Sequence, residues 1–538
     1  MPVNVDRPPA SLTQVSLPPP QTRTHTALWL AGILCLAAFL RLFHPMSLFP
    51  VLVDESIYIR WAEIIDHQGQ WFISLLDAKQ PFSYWIYAIV RKSFPTLDPL
   101  LGARLVSVAA GLGSTALLFR MARRLGGSGF TGLIAALLYA AMPFGVLYDR
   151  LAYTDALVNL CGIAAAAASL EYFAPPSRRT VRGALLLGLL LGVGFAVKST
   201  FALFMWGPAA AAILFPQQGW RTNAIRLTQI YSAALVLPAI CFLNVPAAPV
   251  FEVNNLLFHH TSFFPPLDQL AAHPFMDLPQ NLTLFAGYAR CYITIPFLVA
   301  GAASSVYLLY RKRRDALFLT LLVLLPLAFE VFALWMMHSR YLFPLMWPLA
   351  PLTALALTLI NRRVALLAAA AIVLPLLFAS AVIITTPARQ LHFIDVDEFL
   401  SSGPYSGYGV AEAVSYLKKQ ASNGPLTLLT DPRYGTPADA FYAYLNLWHG
   451  VHVYDAWWMQ LSDSSPILPK TPMEVMKSQY ERVSAGSVDF PSLPRVYYVT
   501  DTNYNLPADT AKRQPGIKPE VRFMKRNGVD SIDLYRLR

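Results

Sequence analysis

The sequence predicts a polytopic α-helical membrane protein of about eleven transmembrane helices, followed by a C-terminal soluble α/β domain. Three observations predict this fold class. Hydrophobic residues make up 55% of the 538 residues and charged residues only 14%, a composition that requires lipid as the surrounding solvent. The apolar residues come in runs of about 20, the length that spans the hydrocarbon layer. Beyond residue 386 the chain changes to ordinary charge content and short β-rich runs.

Apolar runs mark the predicted spans in chain order. A Pro-rich cytoplasmic tail, residues 1–26, precedes the first run at 27–44. The other runs are residues 100–119, 129–148, 153–173, 183–197, 200–215, 228–244, 284–310, 316–337, 342–360 and 364–385. Because the run at 183–197 is shorter than a full crossing, it forms with 200–215 either two spans or a re-entrant pair. Both alternatives return the chain to the same side.

The positions of Lys and Arg predict the orientation. They cluster after every second span, as at residues 120–124 and 311–314, whereas none occurs between Arg226 and Arg290. By the positive-inside rule the N-terminus is cytoplasmic, and an odd number of spans places the C-terminus outside. The net charge of +11 therefore reflects short cytoplasmic loops rather than a nucleic-acid surface. The first span begins late and lacks a strongly basic lead-in, so we expect a retained helix rather than a signal peptide.

Residues 387–538 are predicted to form an extracytoplasmic α/β domain. Helical patterns at 410–420 and 437–447 separate β-rich runs at 426–430, 451–454 and 496–500. An Asn527-Gly528 turn then joins two closing strands at 521–525 and 531–535. Because this region has no glycine-rich phosphate loop, we interpret it as an accessory or acceptor-facing module.

The first outer loop, residues 45–98, is long, aromatic and rich in ionisable groups. Asp54 and Glu55 follow soon after the first span, and Lys79-Gln80-Pro81 comes later in the loop. The segments 57–65 and 82–90 have the pattern of amphipathic helices that lie in the headgroup plane. Since loops of this length are usually functional or disordered, we predict an ordered catalytic loop on the membrane surface.

Further ionisable residues gather at the same membrane level. Arg150 and Asp155 lie between the third and fourth spans, Lys198 lies between the fifth and sixth, and Arg340-Tyr341 lies between the ninth and tenth. Ionisable groups at span ends are functional candidates because lipid exposure would cost several kcal/mol. The cations lie on the side where the topology rule expects few, so we predict that they face an anion such as phosphate.

Structural interpretations of these residues remain open. Asp155 follows Thr154, and its role could be limited to the start of a helix. Lys198 and Arg340 could extend to lipid headgroups. The Asp54-Glu55 pair could be solvated.

Three further residues have simple interpretations. Asp149 beside Arg150 is most simply a local ion pair, and His259 and His260 are weak candidates for a metal site. The joint occurrence of two carboxylate regions and several cations on one side instead predicts an acid/base-plus-phosphate site. Such a site is the type required to move a group off a phosphate leaving group.

These residues, in this order, resemble the membrane glycosyltransferases of the GT-C type, specifically the bacterial relatives of protein O-mannosyltransferases and lipid A aminoarabinose transferases. Asp54-Glu55 resembles the acidic pair of the first outer loop, and residues 103–111 resemble the second span of the family. Residues 153–157 resemble the second acidic motif. The resemblance covers residues 27–386. Gln80 replaces the first proline of the family's Lys-Pro-Pro stretch, and Asp155 lacks the proline that commonly follows it in relatives.

The resemblance implies a sugar donor on a polyprenyl phosphate or diphosphate and a lipid, glycan or protein acceptor outside the cytoplasm. Asp54 would accept the proton of the acceptor hydroxyl, while Glu55 and Asp155 would orient acceptor or sugar. No cofactor is expected to be required, although a divalent cation near Asp54, Asp155 or His259 is compatible with this chemistry. The residues expected to bind the donor phosphate are Lys79, Arg150, Lys198, Arg340 and Tyr341.

Two other classes of protein compete with this interpretation. A lipid or sugar transporter or flippase would also have many spans, but transporters usually place ionisable residues near the midplane and often within repeated halves. In this chain the ionisable residues gather at one face, with Glu330 inside the ninth span as the main exception, and no internal repeat is evident. A non-catalytic scaffold that presents the C-terminal domain would leave the charged outer loop unexplained.

Overall fold

The computed structural model describes residues 23–77, 79–174, 180–216, 219–244, 265, 267–273, 275–400, 406–430, 435–455, 495–502 and 518–536. Helices dominate up to residue 400. The first group is α1 (Arg23–Leu42), α2 (Val53–Gln68), α3 (Phe82–Ser93), α4 (Pro99–Gly126), α5 (Gly129–Ala141), α6 (Pro143–Tyr148), α7 (Asp155–Phe173), α8 (Val181–Val197), α9 (Gly207–Leu214), α10 (Trp220–Ala234) and α11 (Val236–Leu243). The second group is α12 (Leu267–Ala272), α13 (Leu278–Tyr288), α14 (Ile295–Tyr310), α15 (Arg314–Ala333), α16 (Ser339–Leu342), α17 (Leu349–Leu357), α18 (Arg362–Thr385) and α19 (Phe393–Leu400).

Six helices of the described chain are long and apolar enough to cross a membrane. They are Thr24–Leu42, Pro99–Gly126, Asp155–Phe173, Trp220–Leu243, Arg314–Ala333 and Arg362–Thr385. A bent pair, Leu278–Ile293 with Ile295–Tyr310, makes a seventh if the two helices form one span. The predicted runs at 129–148, 183–197 and 200–215 are also helical, but their helices are shorter than a full crossing. The structure therefore supports a polytopic helical protein.

Local sequence explains where several predicted spans are interrupted. Pro143 begins α6 after the short α5, because its ring fits the first turn of a helix but not the interior. The run at 284–310 bends by 103° where a π-helical turn meets Thr294, whose φ is 68°. The run at 342–360 contains Pro344 and Pro348, and its continuous helix is only α17. These breaks were not predicted from hydropathy because they depend on backbone geometry.

A buried ion pair joins the first membrane helix to the end of α6. Arg41 donates through Nε to Asp149 Oδ2 at 2.9 Å, and both side chains are fully buried. A Cβ at Gly111 would lie 2.3 Å from that carboxylate oxygen, so only glycine leaves room for the pair on α4. The expected ion pair between Asp149 and Arg150 is therefore wrong. Arg41 replaces Arg150 because it approaches Asp149 from a neighbouring helix.

The described part of the C-terminal region forms a five-stranded sheet with two helices. Its strands are β1 (Leu426–Thr430), β2 (Val451–Asp455), β3 (Val496–Asp501), β4 (Val521–Met524) and β5 (Ser531–Arg536), and its helices are α20 (Val410–Ala421) and α21 (Ala438–Leu445). The strand order is β2-β1-β3-β5-β4, with β1 parallel to β2 and β3, and β5 antiparallel to β3 and β4. The strands lie at the runs predicted from the sequence.

This sheet region packs on the chain between α1 and α4, the predicted first outer loop. Leu52 pairs with Ser406 in an isolated β-bridge, and the Gly407 amide donates to Val51 O at 2.8 Å. A Cβ at Gly435 would lie 2.2 Å from Val53 Cγ2, so the backbone before α21 touches the start of α2 directly. The segment that leads into α2 is therefore held from both sides.

Helix α2 differs from the expected surface helix. Its residues from Glu55 to Ile65 are buried, whereas a helix in the headgroup plane would expose one face. Arg60 lies 4.4 Å from the centre of the Tyr442 ring on α21, and Asn446 donates to Glu63 Oε1 at 3.1 Å. The C-terminal region thus covers the face of α2 that the pattern assigned to water.

Candidate active site

Five segments converge on one polar cluster: four helix ends and the chain just before α3, which carries Lys79. Asp54 lies in the first turn of α2, and Lys198 is the residue that ends α8. Arg340 and Tyr341 belong to the single-turn helix α16, and Asp155 begins α7. Because each residue lies at a helix end, its polar group reaches the cluster without crossing an apolar helix interior. We define the site cluster as Asp54, Lys79, Asp155, Lys198, Arg340 and Tyr341.

Asp54 contacts two of the predicted cations. Arg340 donates through Nη1 to Asp54 Oδ2 at 2.6 Å, and Lys79 Nζ lies 3.9 Å from Asp54 Oδ1. The Asp54 side chain is 16% exposed. Burial by itself would raise the pKa of Asp54, but Lys79 and Arg340 outweigh it and lower the pKa to about 2. The carboxylate is therefore ionised at every physiological pH.

Tyr341 connects this ion pair to a second one. Its hydroxyl lies 3.2 Å from Arg340 Nη2, and Lys198 Nζ lies 4.8 Å from the centre of its ring. Lys198 donates in turn to Asp155 Oδ1 at 2.7 Å. In the structure Asp155 pairs with Lys198, and the N-cap residue of α7, Thr154, makes no side-chain capping hydrogen bond. The cluster therefore runs continuously from Asp54 to Asp155.

An aromatic face of α2 positions Lys79. Its ammonium lies 5.3 Å from the centre of the Tyr58 ring and 5.5 Å from that of Trp61. Asp54, Tyr58 and Trp61 recur at the i, i+4, i+7 spacing that places side chains on one helix face. The spacing of α2 thus directs the carboxylate and the aromatic partners of Lys79 to the same side.

Glu55 does not join the site cluster, although it adjoins Asp54. Its carboxylate is fully buried and accepts from Arg104 at 2.6 Å (Nη2) and 2.9 Å (Nε). It also accepts from the amides of Leu52 at 3.1 Å and Ala152 at 2.7 Å. With its oxygens occupied by these donors, Glu55 is placed to position the loops around the site rather than to touch a sugar.

Arg150 also lies apart from the site cluster. Its guanidinium donates to the Phe43 carbonyl and lies 5.9 Å from the centre of the Phe49 ring. The side chain is buried, and its Nη1 has no hydrogen-bond partner within the described residues. The structure thus gives Arg150 contacts with the chain that follows α1, and none with Asp54 or Arg340 among the described contacts.

Sequence reasoning missed two acidic residues of α19. Asp395 accepts from Ser339 Oγ at 2.6 Å and from the Tyr292 hydroxyl, which ties α19 to the residue beside Arg340. Glu398 lies one helical turn further on. The next residue, Phe399, packs edge-on against Tyr153 with ring centres 6.2 Å apart. The two acids share the i, i+3 spacing of one helix face. Because they follow the last predicted span, sequence reasoning assigned them to the C-terminal domain and not to the site.

The charge on Glu398 is sensitive to the site cluster. Burial, with smaller contributions from Asp395, Asp54 and Asp155, raises its pKa to about 7, while Arg340 opposes the rise. The described ionisable side chains that face it include Tyr148, Tyr153 and Tyr288 as well. Burial, Arg340 and Lys198 also lower the pKa of His338 to about 4, so this imidazole is neutral at pH 7.

A resident metal finds no evident ligands in the described chain. None of its His, Cys, Asp and Glu side chains form a group of three placed to hold an ion, and Asp54 and Asp155 each pair with cations. His259 and His260 lie outside the described residues. A divalent cation therefore stays a prediction.

Part of the chain matches a known family. Residues 78–245 match the family model described as dolichyl-phosphate-mannose-protein mannosyltransferase. The undecaprenyl phosphate-alpha-4-amino-4-deoxy-L-arabinose arabinosyl transferase of Pseudomonas aeruginosa is 28% identical over 331 residues, which are 56% of this chain and 55% of that protein. The lipid A galacturonosyltransferase RgtD of Rhizobium johnstonii is 24% identical over 263 residues, 49% of this chain and 50% of that protein. The chain spans about half the length of the curated relatives it matches.

Solved structures show the fold over nearly the whole chain. The crystal structure of ArnT from Cupriavidus metallidurans bound to undecaprenyl phosphate has a TM-score of 0.63 at 13% identity, and covers 96% of this chain and 98% of its own. The archaeal oligosaccharyltransferase AglB from Archaeoglobus fulgidus, in complex with an inhibitory peptide and a dolichol-phosphate, has a TM-score of 0.52 at 12% identity, covering 89% and 69%.

The protein is a polytopic membrane protein that shares its fold with these solved structures. It is related to the O-mannosyltransferases and to the aminoarabinose transferases, as the resemblance implied.

Because Glu55 accepts hydrogen bonds from four donors, we predict that it is needed for the folding stability of the protein. In Glu55→Gln the amide NH₂ must face either Arg104 or a backbone amide, because the sites around the carboxylate are all donors. Breaking a buried ion pair on one side typically costs about 3–5 kcal/mol. We expect a clearly lower melting temperature for purified Glu55→Gln in detergent. Asp54→Asn is the comparison: it also breaks an ion pair, but Asp54 is 16% exposed, so its melting temperature should fall clearly less. Equal losses in both variants would contradict the positioning role of Glu55.

Proposed function

We propose that this protein is a glycosyltransferase that moves a sugar from a polyprenyl-phosphate-linked donor to a lipid, glycan or protein acceptor at the outer face of the membrane. The observation that carries the proposal is the site cluster, in which Arg340 and Lys79 contact Asp54 while Lys198 pairs with the second carboxylate, Asp155. A donor of this kind needs cations for its phosphate and a base for the acceptor, and both are present within one connected cluster.

The chemistry follows from the charges. The acceptor oxygen forms a bond to the anomeric carbon of the sugar while the bond from that carbon to the phosphate oxygen breaks. Arg340, Lys79 and Lys198 would stabilise the negative charge that grows on the leaving phosphate. Asp54 would accept the acceptor's hydroxyl proton. Arg340 would contact both Asp54 and the bound phosphate. Donor binding would therefore weaken the ion pair between Arg340 and Asp54 and make Asp54 a stronger base.

The other polar residues have supporting roles in this proposal. Asp155 would orient Lys198, to which it is hydrogen bonded, and Tyr341 would keep Arg340 and Lys198 apart at a fixed spacing. Glu55 would position Asp54 through the backbone rather than contact a substrate. Arg150, which lies apart from the site cluster, would reach the phosphate only if the chain beside Phe43 moved.

The names of the relatives agree with this class of donor. The Pseudomonas relative is named for a sugar carried on undecaprenyl phosphate, and the Cupriavidus structure contains undecaprenyl phosphate itself. These neighbours favour transfer over the alternative of a transporter or flippase. The gathering of ionisable groups at helix ends favours the same choice, since transporters usually hold them near the midplane.

We further infer eleven crossings, with a cytoplasmic N-terminus and residues 387–538 outside as an α/β domain. The support is the charge asymmetry of the loops together with helices at every predicted run. A fluorescent reporter that matures only in the cytoplasm should stay dark when fused after Arg538. A bright fusion would contradict this orientation and the outer position of the site.

The role of Asp54 is tested by Asp54→Asn, which keeps the shape of the side chain and removes its ability to accept a proton. We expect transfer to fall by about a hundredfold to ten-thousandfold, the usual contribution of a general base. The loss should appear in kcat, measured with purified protein and a polyprenyl-phosphate sugar. Lys79→Met is the contrasting variant, and it should raise the KM for the donor. Near-normal transfer by Asp54→Asn would make Asp155 the next candidate for the base.

Glu398 predicts a pH dependence of donor binding. A polyprenyl-phosphate sugar is a phosphodiester and does not titrate near neutrality, so a change near pH 7 must come from the protein. Above its pKa of about 7, Glu398 is ionised beside Arg340 and opposes the phosphate. We expect the donor KM to rise about two- to tenfold between pH 6 and pH 8.

The matched variants are Glu398→Gln, which should flatten this pH profile, and Asp397→Asn on the exposed side of α19, which should keep it. A profile that persists unchanged in Glu398→Gln would show that another group controls donor binding.

A further inference from the structure

Tyr153 is a buried residue of the site region to which the proposed reaction gives no role. It lies between α6 and α7, two residues before Asp155, and its side chain is 1% exposed. This separation places its Cα atom within about 7 Å of that of Asp155. Because Asp155 is hydrogen bonded to Lys198, Tyr153 borders the site cluster.

The backbone around Tyr153 is held by side chains of three neighbouring helices. The Tyr153 carbonyl accepts from Ser107 Oγ of α4 at 3.4 Å and from the Tyr87 hydroxyl of α3 at 3.5 Å. The amide of the preceding residue, Ala152, donates to Glu55 Oε1 at 2.7 Å. The buried carboxylate that fixes the start of α2 therefore also fixes the chain that carries Tyr153.

Aromatic contacts hold the ring of Tyr153. Its centre lies 6.5 Å from that of Tyr148, in a stacked arrangement, and 6.2 Å from that of Phe399 on α19. The Tyr148 hydroxyl is in turn hydrogen bonded to Ser339 Oγ at 2.6 Å, next to Arg340. These contacts connect the ring to the segment that carries Arg340.

The hydroxyl of Tyr153 is buried and has no hydrogen-bond partner within the described residues. The hydroxyls of Tyr148 and Tyr292, by contrast, each have a side-chain partner. An unpaired buried hydroxyl is destabilising, because the hydrogen bonds that it made to water in the unfolded chain are not replaced. A polar group kept unpaired beside an active site indicates a contact with substrate.

The charged groups around Tyr153 indicate which part of a substrate it meets. Asp54 and Arg340 both act on it electrostatically. In the proposed reaction Asp54 faces the acceptor oxygen and Arg340 faces the leaving phosphate, and the anomeric carbon of the sugar lies between these two oxygens. A side chain near both residues is therefore near the anomeric carbon. The sugar hydroxyl closest to that carbon is the one on the adjacent carbon, C2.

The chemistry of a tyrosine hydroxyl suits this contact. It both donates and accepts hydrogen bonds, as a sugar hydroxyl does, whereas a phosphate oxygen at the cations only accepts. Positive charge develops at the anomeric carbon as its bond to the phosphate oxygen breaks, and hydrogen bonds to the C2 hydroxyl strengthen in transition states of this kind. A contact at C2 would therefore contribute to the rate as well as to binding.

We propose that the Tyr153 hydroxyl is hydrogen bonded to the C2 hydroxyl of the donor sugar and holds the anomeric carbon between Asp54 and Arg340. Tyr153 is then a further catalytic residue, and the donor is a sugar with a free hydroxyl at C2. This inference rests on the proposed function, because it adds a sugar contact to the site that would hold the donor phosphate.

Tyr153→Phe tests the contact, because it removes one oxygen atom and keeps the ring. The donors are undecaprenyl-phosphate glucose, mannose, galacturonic acid and 4-amino-4-deoxyarabinose, each compared with its 2-deoxy form. With the donor that the purified wild-type chain transfers fastest, kcat/KM of Tyr153→Phe should be about tenfold below wild type. With the matching 2-deoxy donor the two proteins should be nearly equal, because the partner hydroxyl is absent. The ratio between the proteins cancels the intrinsic reactivity of the 2-deoxy sugar.

The matched control is Tyr139→Phe, which removes the same atom from a buried tyrosine of α5. That hydroxyl donates to Asp149 Oδ2 at 3.2 Å and accepts from Asn159 Nδ2 at 2.6 Å. Loss of these bonds should lower the melting temperature, whereas Tyr153→Phe should melt at or above wild type. Any loss of transfer in the control should be the same with both donors. A deficit of Tyr153→Phe that persists with the 2-deoxy donor, or normal transfer of the full donor, would overturn the contact.

A binding measurement separates this inference from the proposed function. A donor that binds the folded chain raises its melting temperature. Wild type should be stabilised more by the donor with a C2 hydroxyl than by its 2-deoxy form, and Tyr153→Phe should be stabilised equally by both. If wild type transfers none of the sugars but shows this difference, the proposed function fails and the contact stands. If wild type shows no difference, the contact fails even where transfer is observed.

Discussion

The arrangement of the site depends on the buried ion pair between Glu55 and Arg104. Arg104 on α4 also donates to the carbonyls of Pro45, Phe49 and Pro50, so a single guanidinium gathers the chain between α1 and α2. Glu55 extends the same network to the amide of Ala152, just before α7. Charges buried in this way are stabilising only when every donor and acceptor is paired, which restricts the loop to one conformation.

Two neighbouring acids thereby acquire different roles. Glu55 is fully enclosed and fixes the start of α2, which leaves Asp54 to face Lys79 and Arg340. The C-terminal region reinforces this placement, because Gly407 and Gly435 pack against the backbone and side chain of residues 51–53. The region beyond the last membrane-length helix can therefore influence a carboxylate between α1 and α4 through direct contact.

Much of the fold could be predicted from the sequence. The length of an apolar run and the Lys and Arg content of a loop are properties of consecutive residues, so they can be read without the structure. The sequence also predicted that Lys198, Arg340 and Asp155 lie at one membrane level, because the order of the spans determines the level of each loop. It did not predict which groups pair. Asp149 contacts Arg41 from another helix instead of its neighbour Arg150, and Glu55 separates from Asp54. Glu398 was missed because only tertiary packing of α19 carries it towards Arg340. Such pairings depend on three-dimensional distance, which no local pattern records.

The central claim is that the cations of the site cluster bind the donor phosphate. A structure of the full chain with undecaprenyl phosphate, determined by cryo-electron microscopy or crystallography, tests it most directly. The account predicts phosphate oxygens within hydrogen-bond distance of Arg340 and of Lys79 or Lys198, with Asp54 adjacent to the phosphate. A phosphate bound elsewhere, with the ion pair between Asp54 and Arg340 intact, would contradict it.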